Sequence, residues 1–215
     1  MLVLFKKTLS LVSPKKYVLE SSYGYRHDIY KKWSKNCFFA GHWQSEKYFS
    51  EIRDDILRQF EFRPFSEPKN IELAKKMMSE NSVAIHVRKG ADYQFAPRLC
   101  DMKYYRAAVE YIRSRVADPQ FYVFTDNSLW VQRNFTDIPY TLVDWNDRTG
   151  AMSFRDMQLM TCAKHNIIAN SSYSWWGAWL NRNADKIVTA PKLFFLQDDG
   201  YYSTADVVCD DWVKF

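Results

Sequence analysis

The pattern of apolar and polar positions predicts a chain in which short buried strands alternate with amphipathic helices. Apolar, β-branched runs of strand length occur at residues 37–40, 83–87, 121–124, 140–143, 166–169 and 186–189. Helical spacing of apolar residues, with breakers between the runs, predicts helices over 46–60, 66–80, 101–112, 129–134, 153–163 and 172–180. Strands that alternate with helices favour βαβ units, so we predict an α/β fold with a mostly parallel sheet. Residues 13–36 are polar, aromatic and irregular in pattern.

The strand at residues 83–87 stops being apolar at its carboxyl end, where His86 and Arg88 follow. Side chains two residues apart on a strand share a face, so the imidazole and the guanidinium reach the same side of the sheet. Ligands of open α/β sheets bind beyond the carboxyl ends of strands, and an arginine fork beside a histidine suits a phosphate or pyrophosphate. This stretch alone equally allows an arginine paired with a neighbouring helix and a satisfied core histidine.

Two later strand ends also carry polar groups. Asp126 follows the strand at 121–124, where a carboxylate commonly accepts from ribose hydroxyls or from a guanine edge. The alternative is that Asp126 only caps the following helix. Small hydroxyl residues at 170–174 occupy a strand-to-helix turn, where backbone N–H groups and hydroxyls converge on a phosphate site. This turn has neither a Walker lysine nor a glycine-rich dinucleotide fingerprint.

Composition narrows the class of protein without adding a site. The 215 residues are 47% hydrophobic and 26% charged, as in an ordinary soluble globular protein. A net charge of +5, with no arginine-rich arm and no zinc-finger spacing, argues against a nucleic-acid partner. Four widely spaced cysteines favour reduced thiols in a cytosolic protein. The apolar amino terminus, broken by Lys6 and Lys7, is too short to span a bilayer, although an amphipathic helix resting on a membrane stays open.

Four stretches carry distinctive motifs: Gly-His-Trp-Gln at 41–44, His-Val-Arg-Lys-Gly at 86–90 followed by Asp92 and Tyr93, Phe-Thr-Asp-Asn at 124–127, and Asn-Ser-Ser-Tyr-Ser-Trp-Trp-Gly at 170–177. Together these motifs resemble the α-1,2-fucosyltransferases, glycosyltransferase family 11. The likeness runs from about residue 38 to residue 191, and it is most specific over residues 156–181. The resemblance implies a GT-B-like architecture of two Rossmann-like halves, with the donor GDP-fucose on the carboxyl-terminal half. It also implies metal-independent, inverting transfer of L-fucose to a galactoside hydroxyl.

Carried onto this sequence, the resemblance implies a role for residues at each strand end. Arg88 would hold the pyrophosphate, His86 would lie beside the nucleotide, and Asp126 would accept from the guanosine. Asp92 is the candidate base for the acceptor hydroxyl, with an Asx turn as the alternative. No metal or other cofactor is expected, because an arginine and a helix amino terminus can stabilise the departing GDP and no Asp-x-Asp motif is present. The phosphate would be cradled by the side chains and amides of Asn170, Ser171, Ser172 and Ser174.

Departures from the family pattern bear on these roles. Lys89 replaces a second arginine and offers a point charge in place of a fork, and the inserted Ala91 shifts Asp92. His42 replaces a tyrosine. The family's opening strand and its Gly-Gly-Leu-Gly-Asn-Gln loop have no counterpart in this sequence. We therefore expect a truncated remnant of the acceptor-side domain over residues 1–65 and a GDP-sugar-binding Rossmann-like domain over residues 66–215.

Two functional interpretations follow. The first is a fucosyltransferase that acts on a galactose-containing acceptor, the precursor of a surface glycan, in the cytoplasm or at the inner face of the membrane. The second is a non-catalytic GDP-sugar-binding or glycan-binding remnant of such an enzyme. A truncated sheet would expose an edge and apolar surface, which favours a homo-oligomer.

Overall fold

The structure is a computed structural model that describes residues 16–32, 36–90, 100–195 and 203–215. The chain divides into two compact units. The first comprises Met1–Arg53 with Gln197–Asp210, and the second comprises Asp54–Leu196 with Asp211–Phe215. The functional division expected at residue 65, into an acceptor-side and a donor-side domain, stays a prediction.

The first unit contains a small parallel sheet of two strands, β1 (Lys16–Leu19) and β2 (Cys37–Ala40). A short 3₁₀ helix at His27–Lys32 lies between these strands along the chain, and two more follow at Glu46–Tyr48 and Ser50–Ile52. The expectation that residues 13–36 are irregular was therefore wrong for β1 and for the 3₁₀ helix His27–Lys32. Strand formation depends on the partner strand more than on local propensity, and β1 finds its partner some twenty positions further along.

The second unit is built on a parallel sheet of six strands. They are β3 (Ser82–Val87), β4 (Gln120–Thr125), β5 (Thr141–Val143), β6 (His165–Ile167), β7 (Val188–Ala190) and β8 (Val213–Lys214). Their order in the sheet is β5-β4-β3-β6-β7-β8, so the predicted α/β fold with a parallel sheet is confirmed. The chain adds β4 and β5 on one side of β3 and then returns to place β6 on the other side, so the topological switch point lies between β3 and β6.

Helices cover both faces of this sheet. They are α1 (Arg53–Gln59), α2 (Pro68–Ser79), α3 (Met102–Arg113), α4 (Ser128–Asn134), α5 (Arg155–Thr161) and α6 (Ser172–Trp179). Val83, Ile85 and Val87 pack against one set of helices, α3 and α4, whereas Ala84 lies in the core formed with α2 and α5. Because both faces are buried, the central strands β3 and β4 are mainly apolar, and the polar side chains of His86 and Thr125 lie near their carboxyl ends.

Two further elements of the structure differ from the sequence-based prediction. The single helix expected over 46–60 is replaced by two 3₁₀ turns and α1, which contains no buried residue. Tyr48 packs on Tyr25 and Trp43 within the first unit, so the apolar positions of this stretch do not form one stripe on one core. The strand β8 was not predicted, because two residues carry no periodic signal. No helix in the described ranges has the length and apolar character needed to cross a bilayer.

Candidate functional site

A cleft of about 340 Å³ opens at the carboxyl ends of β3, β4 and the segment after β6. This is the switch point of the sheet, where parallel α/β folds bind ligands because the loops on either side diverge. All of its lining residues belong to the second unit. They are His86, Arg88, Thr125, Asp126, Asp147, Arg148, Ser153, Asp156, Ser171, Ser172 and Tyr173.

Arg88 and Asp126 form an ion pair across neighbouring strand ends. Arg88 Nη1 lies 2.5 Å from Asp126 Oδ2, and the Lys89 backbone N–H donates to Asp126 Oδ1 at 2.7 Å. The strand register pairs Val87 with Thr125, which places the next residues of each strand side by side. A partner of Arg88 is thus a strand-end carboxylate of the cleft, whose two oxygens hold the guanidinium of Arg88 and the backbone amide of Lys89.

Asn127, and not Asp126, caps the helix that follows β4. Its Oδ1 accepts from Trp130 N at 3.0 Å, and its Nδ2 donates to Lys89 O at 3.0 Å. Arg148 Nη1 donates to Asp126 O at 3.0 Å, which ties a third loop to the same strand end. The Lys89 ammonium lies 5.0 Å from the centre of the Trp130 ring. These bonds join the chain after β3 to the chain after β4.

His86 forms part of the cleft wall although its side chain is almost fully buried. Its Nδ1 has no hydrogen-bond partner within the described ranges, so the expectation of a satisfied core histidine does not hold there. Burial lowers the pKa of His86 to about 4, with the nearby Asp126 opposing and Arg88 reinforcing the shift. The imidazole is therefore neutral at pH 7.

The serine turn between β6 and α6 supplies the opposite wall. Ser171 and Ser172 line the cleft, and Ser171 at the N-cap of α6 makes no side-chain capping bond. The first-turn N–H groups of a helix have no partner inside the helix, so this helix start offers donors and a positive partial charge to an anion. The Ser174 hydroxyl is buried, bonds to the carbonyls of Ala169 and Ser171, and does not line the cleft, so its contact with phosphate stays a prediction.

Asn170 lies behind this wall. The Asn170 side chain is buried, its Oδ1 accepts from Cys100 Sγ at 3.3 Å, and its Nδ2 donates to Phe194 O at 3.4 Å. These contacts anchor the start of the serine turn to two other segments. Asp92 lies outside the described residues, so its role as the base stays a prediction, like the other roles given by the resemblance.

Asp156 is the main cleft residue that the sequence reasoning missed. The helix was expected to start at residue 153, but α5 begins at Arg155 with Phe154 at the N-cap and no side-chain capping bond. Asp156 instead faces the cleft, and its Oδ1 accepts from Asn146 Nδ2 at 2.8 Å. Burial raises the pKa of Asp156, while the bond from Asn146 and the charge of Arg148 oppose that rise.

Tyr173 gives the cleft a rigid aromatic wall. Its hydroxyl donates to Ser153 O at 2.8 Å and accepts from Met157 N at 2.9 Å, so the ring is fixed at two points. The ring centre lies 5.7 Å from that of His86. An arginine, a helix start, a half-buried carboxylate and two flat rings thus converge in one cleft, which is a suitable lining for a nucleoside diphosphate.

Comparison with known proteins shows similarity to glycosyltransferases. The sequence pattern that defines Glycosyl transferase family 11 matches residues 15–215. The chain is 34% identical over 187 residues to an alpha-1,2-colitosyltransferase of Escherichia coli, covering 82% of this chain and 61% of that protein. It is 33% identical over 189 residues to the O-antigen biosynthesis glycosyltransferase WbnK of Escherichia coli, covering 83% and 60%. The human galactoside alpha-(1,2)-fucosyltransferase 1 is 24% identical over 145 residues, covering 62% and 40%.

The chain spans about three fifths of the length of the two bacterial relatives. The match to the family extends over nearly the whole chain, residues 15–215, and includes every residue that lines the cleft. The chain belongs to glycosyltransferase family 11.

Proposed function

We propose that this chain carries the donor site of an inverting α-1,2-fucosyltransferase, which transfers L-fucose from GDP-fucose to a galactoside hydroxyl of a surface-glycan precursor. The observation that carries the proposal is the convergence of Arg88, the helix start at Ser172 and the Asp156 carboxylate on one cleft at the sheet's switch point. The bacterial relatives at 33–34% identity support the type of reaction.

The phosphate end of the donor is proposed to lie between Arg88 and the serine turn. As the bond between fucose and the β-phosphate breaks, negative charge grows on the departing GDP. The Arg88 guanidinium and the N–H groups at the start of α6 are held in place before the reaction, so they stabilise this charge without reorganising. Asp126 contributes by orienting Arg88, and no metal ion is required for this step.

The base end is proposed to lie against Asp156, beside the adjacent His86 and Tyr173 rings. Guanine presents N1–H and N2–H donors along one edge, and a carboxylate can accept from both. Asp126 keeps its predicted place beside the guanosine, but its carboxylate already accepts from Arg88 and the Lys89 amide. One oxygen of Asp156 accepts a hydrogen bond from Asn146, and the residue faces the cleft. We therefore propose that Asp156 binds the donor edge of guanine.

The acceptor side of the reaction rests on the resemblance. We propose a GT-B-like arrangement for the whole enzyme, with Asp92 as the candidate base that takes the proton of the acceptor hydroxyl. A cytoplasmic location, contact with the inner face of the membrane and a homo-oligomer belong to the same proposal. A colitosyl donor is the second candidate, because a protein named as a colitosyltransferase is 34% identical to this chain.

The test is a transfer assay with GDP-fucose and a panel of galactosides, run with and without a chelator. We expect release of GDP and an α-1,2-linked fucoside, at a rate that the chelator does not change. A colitosyl nucleotide is supplied in parallel, and a faster reaction with it identifies the second donor. Binding of GDP without turnover of any acceptor would support the non-catalytic alternative. Absence of binding to GDP and GDP-fucose would contradict both interpretations.

A further inference from the structure

We propose that Asn146 and Asn70 are positioning residues, which fix the Asp156 carboxylate so that the cleft selects a guanine base. This inference rests on the proposed function, because it takes Asp156 to face the base of the bound nucleotide. It adds a specificity mechanism that extends from the cleft wall into the interior of the second unit.

The three side chains form a continuous series of hydrogen bonds that ends at the carboxylate. Asn70 Nδ2 donates to Asn146 Oδ1 at 2.8 Å, and Asn146 Nδ2 donates to Asp156 Oδ1 at 2.8 Å. Trp145 Nε1 donates to Asn70 Oδ1 at 2.8 Å. Each amide thus accepts one bond and donates the next.

The indole at the far end sets the direction of the series. An indole N–H can only donate, so the Asn70 oxygen must face Trp145 and its nitrogen must face Asn146. An ionised carboxylate can only accept, so the Asn146 nitrogen must face Asp156 and its oxygen must face Asn70. The ambiguity between the oxygen and nitrogen atoms of an amide is therefore resolved by the bonding partners alone.

The series is anchored in the core. Asn70 is fully buried on α2, whose residues Leu73, Ala74 and Met77 belong to the same apolar cluster as Leu159 of α5. Lys69 Nζ lies 3.7 Å from the centre of the Trp145 ring, which covers the far end of the series. Hydrogen bonds of buried amides are costly to break, so this network holds the plane of the Asp156 carboxylate.

A fixed carboxylate plane matters for recognition of the base. Two acceptor directions in one plane match the parallel N1–H and N2–H bonds of guanine, whereas hypoxanthine lacks the exocyclic amine and uses only one of them. Without the bond from Asn146 the carboxylate can rotate, and the advantage of guanine over hypoxanthine is lost. Overall stability alone would not change this ratio.

The test is calorimetric titration with GDP and with inosine diphosphate. We expect Asn146→Ala to weaken GDP binding about tenfold and to affect inosine diphosphate much less. Asp156→Asn should reduce the same ratio, and the double variant should be no worse than Asp156→Asn alone, because the two residues act as one unit. Asn134→Ala is the matched control, since that amide donates to Trp130 O and does not line the cleft.

A pH series adds a second readout. The bond from Asn146 opposes the rise in the pKa of Asp156, so Asn146→Ala should move the acid limb of GDP binding to higher pH. The charged and titratable groups that act on this carboxylate, Asp144, Arg148 and Tyr173, together with Asp147 of the cleft, are unchanged in the variant.

The outcomes separate the two proposals. If Asp156→Asn leaves GDP affinity unchanged, the placement of Asp156 at the guanine edge fails. If Asp156→Asn weakens GDP binding but Asn146→Ala behaves like Asn134→Ala, the positioning role is overturned and the proposed function survives. Thermal melting confirms that each variant is folded. Asn146→Ser, whose shorter side chain cannot reach Asp156, gives the same reading if Asn146→Ala fails to fold.

Discussion

Burial and pairing give the charged side chains of the cleft different protonation states. Burial keeps His86 neutral at pH 7, with a pKa of about 4, whereas the Arg88 guanidinium is paired with the Asp126 carboxylate. Burial also raises the pKa of Asp156, against the opposing bond from Asn146. In the proposed function the cleft thus presents a cation to the phosphates, an uncharged ring beside the nucleoside and a carboxylate to the base edge.

His86 should make the stability of the protein depend on pH in a defined direction. The unfolded chain protonates this histidine below its ordinary pKa of 6.5, whereas the folded protein does so only near pH 4. Between these values the unfolded state holds more protons, so the free energy of unfolding falls as the pH is lowered. Over the interval from pH 7 to pH 5 we expect a loss of about 2 kcal/mol from this residue.

Urea unfolding of the protein and of His86→Gln at pH 7 and pH 5 measures this contribution. The variant should lose less stability than the parent over the interval, by the amount attributed to His86. Burial also lowers the pKa of His165, but that residue is present in both proteins and cancels in the comparison. Equal losses in the two proteins would show that His86 is not held neutral.

At the scale of elements, two helix-capping residues allow the effect of capping on stability to be separated from its effect on the geometry of the site. Asp101 caps α3 through Tyr104 N at 3.0 Å, and Asn127 caps α4 through Trp130 N at 3.0 Å. Only Asn127 also donates to Lys89 O beside the cleft. Both Asp101→Ala and Asn127→Ala should cost about 1 kcal/mol of stability.

Only Asn127→Ala should also weaken GDP binding, because it releases the chain that follows Arg88. Chemical denaturation and GDP titration of the two variants test this difference. Equal GDP affinities in Asn127→Ala and Asp101→Ala would mean that the link between the two strand ends does not position Arg88.

The elements around the cleft were the predictable part of the fold. The strands at 83–87 and 121–124 are apolar on both faces and end in polar residues, so local pattern and tertiary role agree. The strand β1 and the two-residue strand β8 depend on partners distant in sequence, which periodicity does not report. The prediction of one helix over 46–60 was wrong because the apolar residues of this stretch do not pack into one core.

The candidate site was predicted in outline for the same reason. His86, Arg88 and Asp126 follow directly from strand ends that a parallel sheet brings to one edge. Asp156 lies in the first turn of a helix, where an acidic residue has an ordinary local explanation. Its place in the cleft depends on how α5 packs, and its partner Asn146 lies in a loop without any pattern.

At the scale of the whole molecule, every residue that lines the cleft belongs to the second unit. Damage confined to the first unit should therefore leave nucleotide binding intact. Gly41 allows the test: a Cβ there would overlap Glu20 Cβ and lie 2.9 Å from Glu20 Oε2. That carboxylate accepts from His42 N and Trp43 N, so Gly41→Ala should cost about 1–3 kcal/mol in the first unit.

Gly24→Ala is the matched control in the same unit, because a Cβ there meets its nearest atom at 3.5 Å, an ordinary contact. Calorimetric unfolding should show a loss for Gly41→Ala and none for Gly24→Ala, with GDP affinity equal in both. A loss of GDP binding in Gly41→Ala would mean that the nucleotide site is not confined to the second unit.

The central claim is that the cleft binds a guanosine diphosphate through Arg88, and titration of GDP into matched arginine variants tests it most directly. Arg88→Ala removes the charge held by Asp126 in the cleft, whereas Arg106→Ala removes an exposed arginine paired with Asp137. We expect Arg88→Ala to weaken GDP binding about 10- to 100-fold, as for a charge-assisted bond to phosphate, and Arg106→Ala to bind like the parent. Equal GDP affinity in both variants would contradict the account.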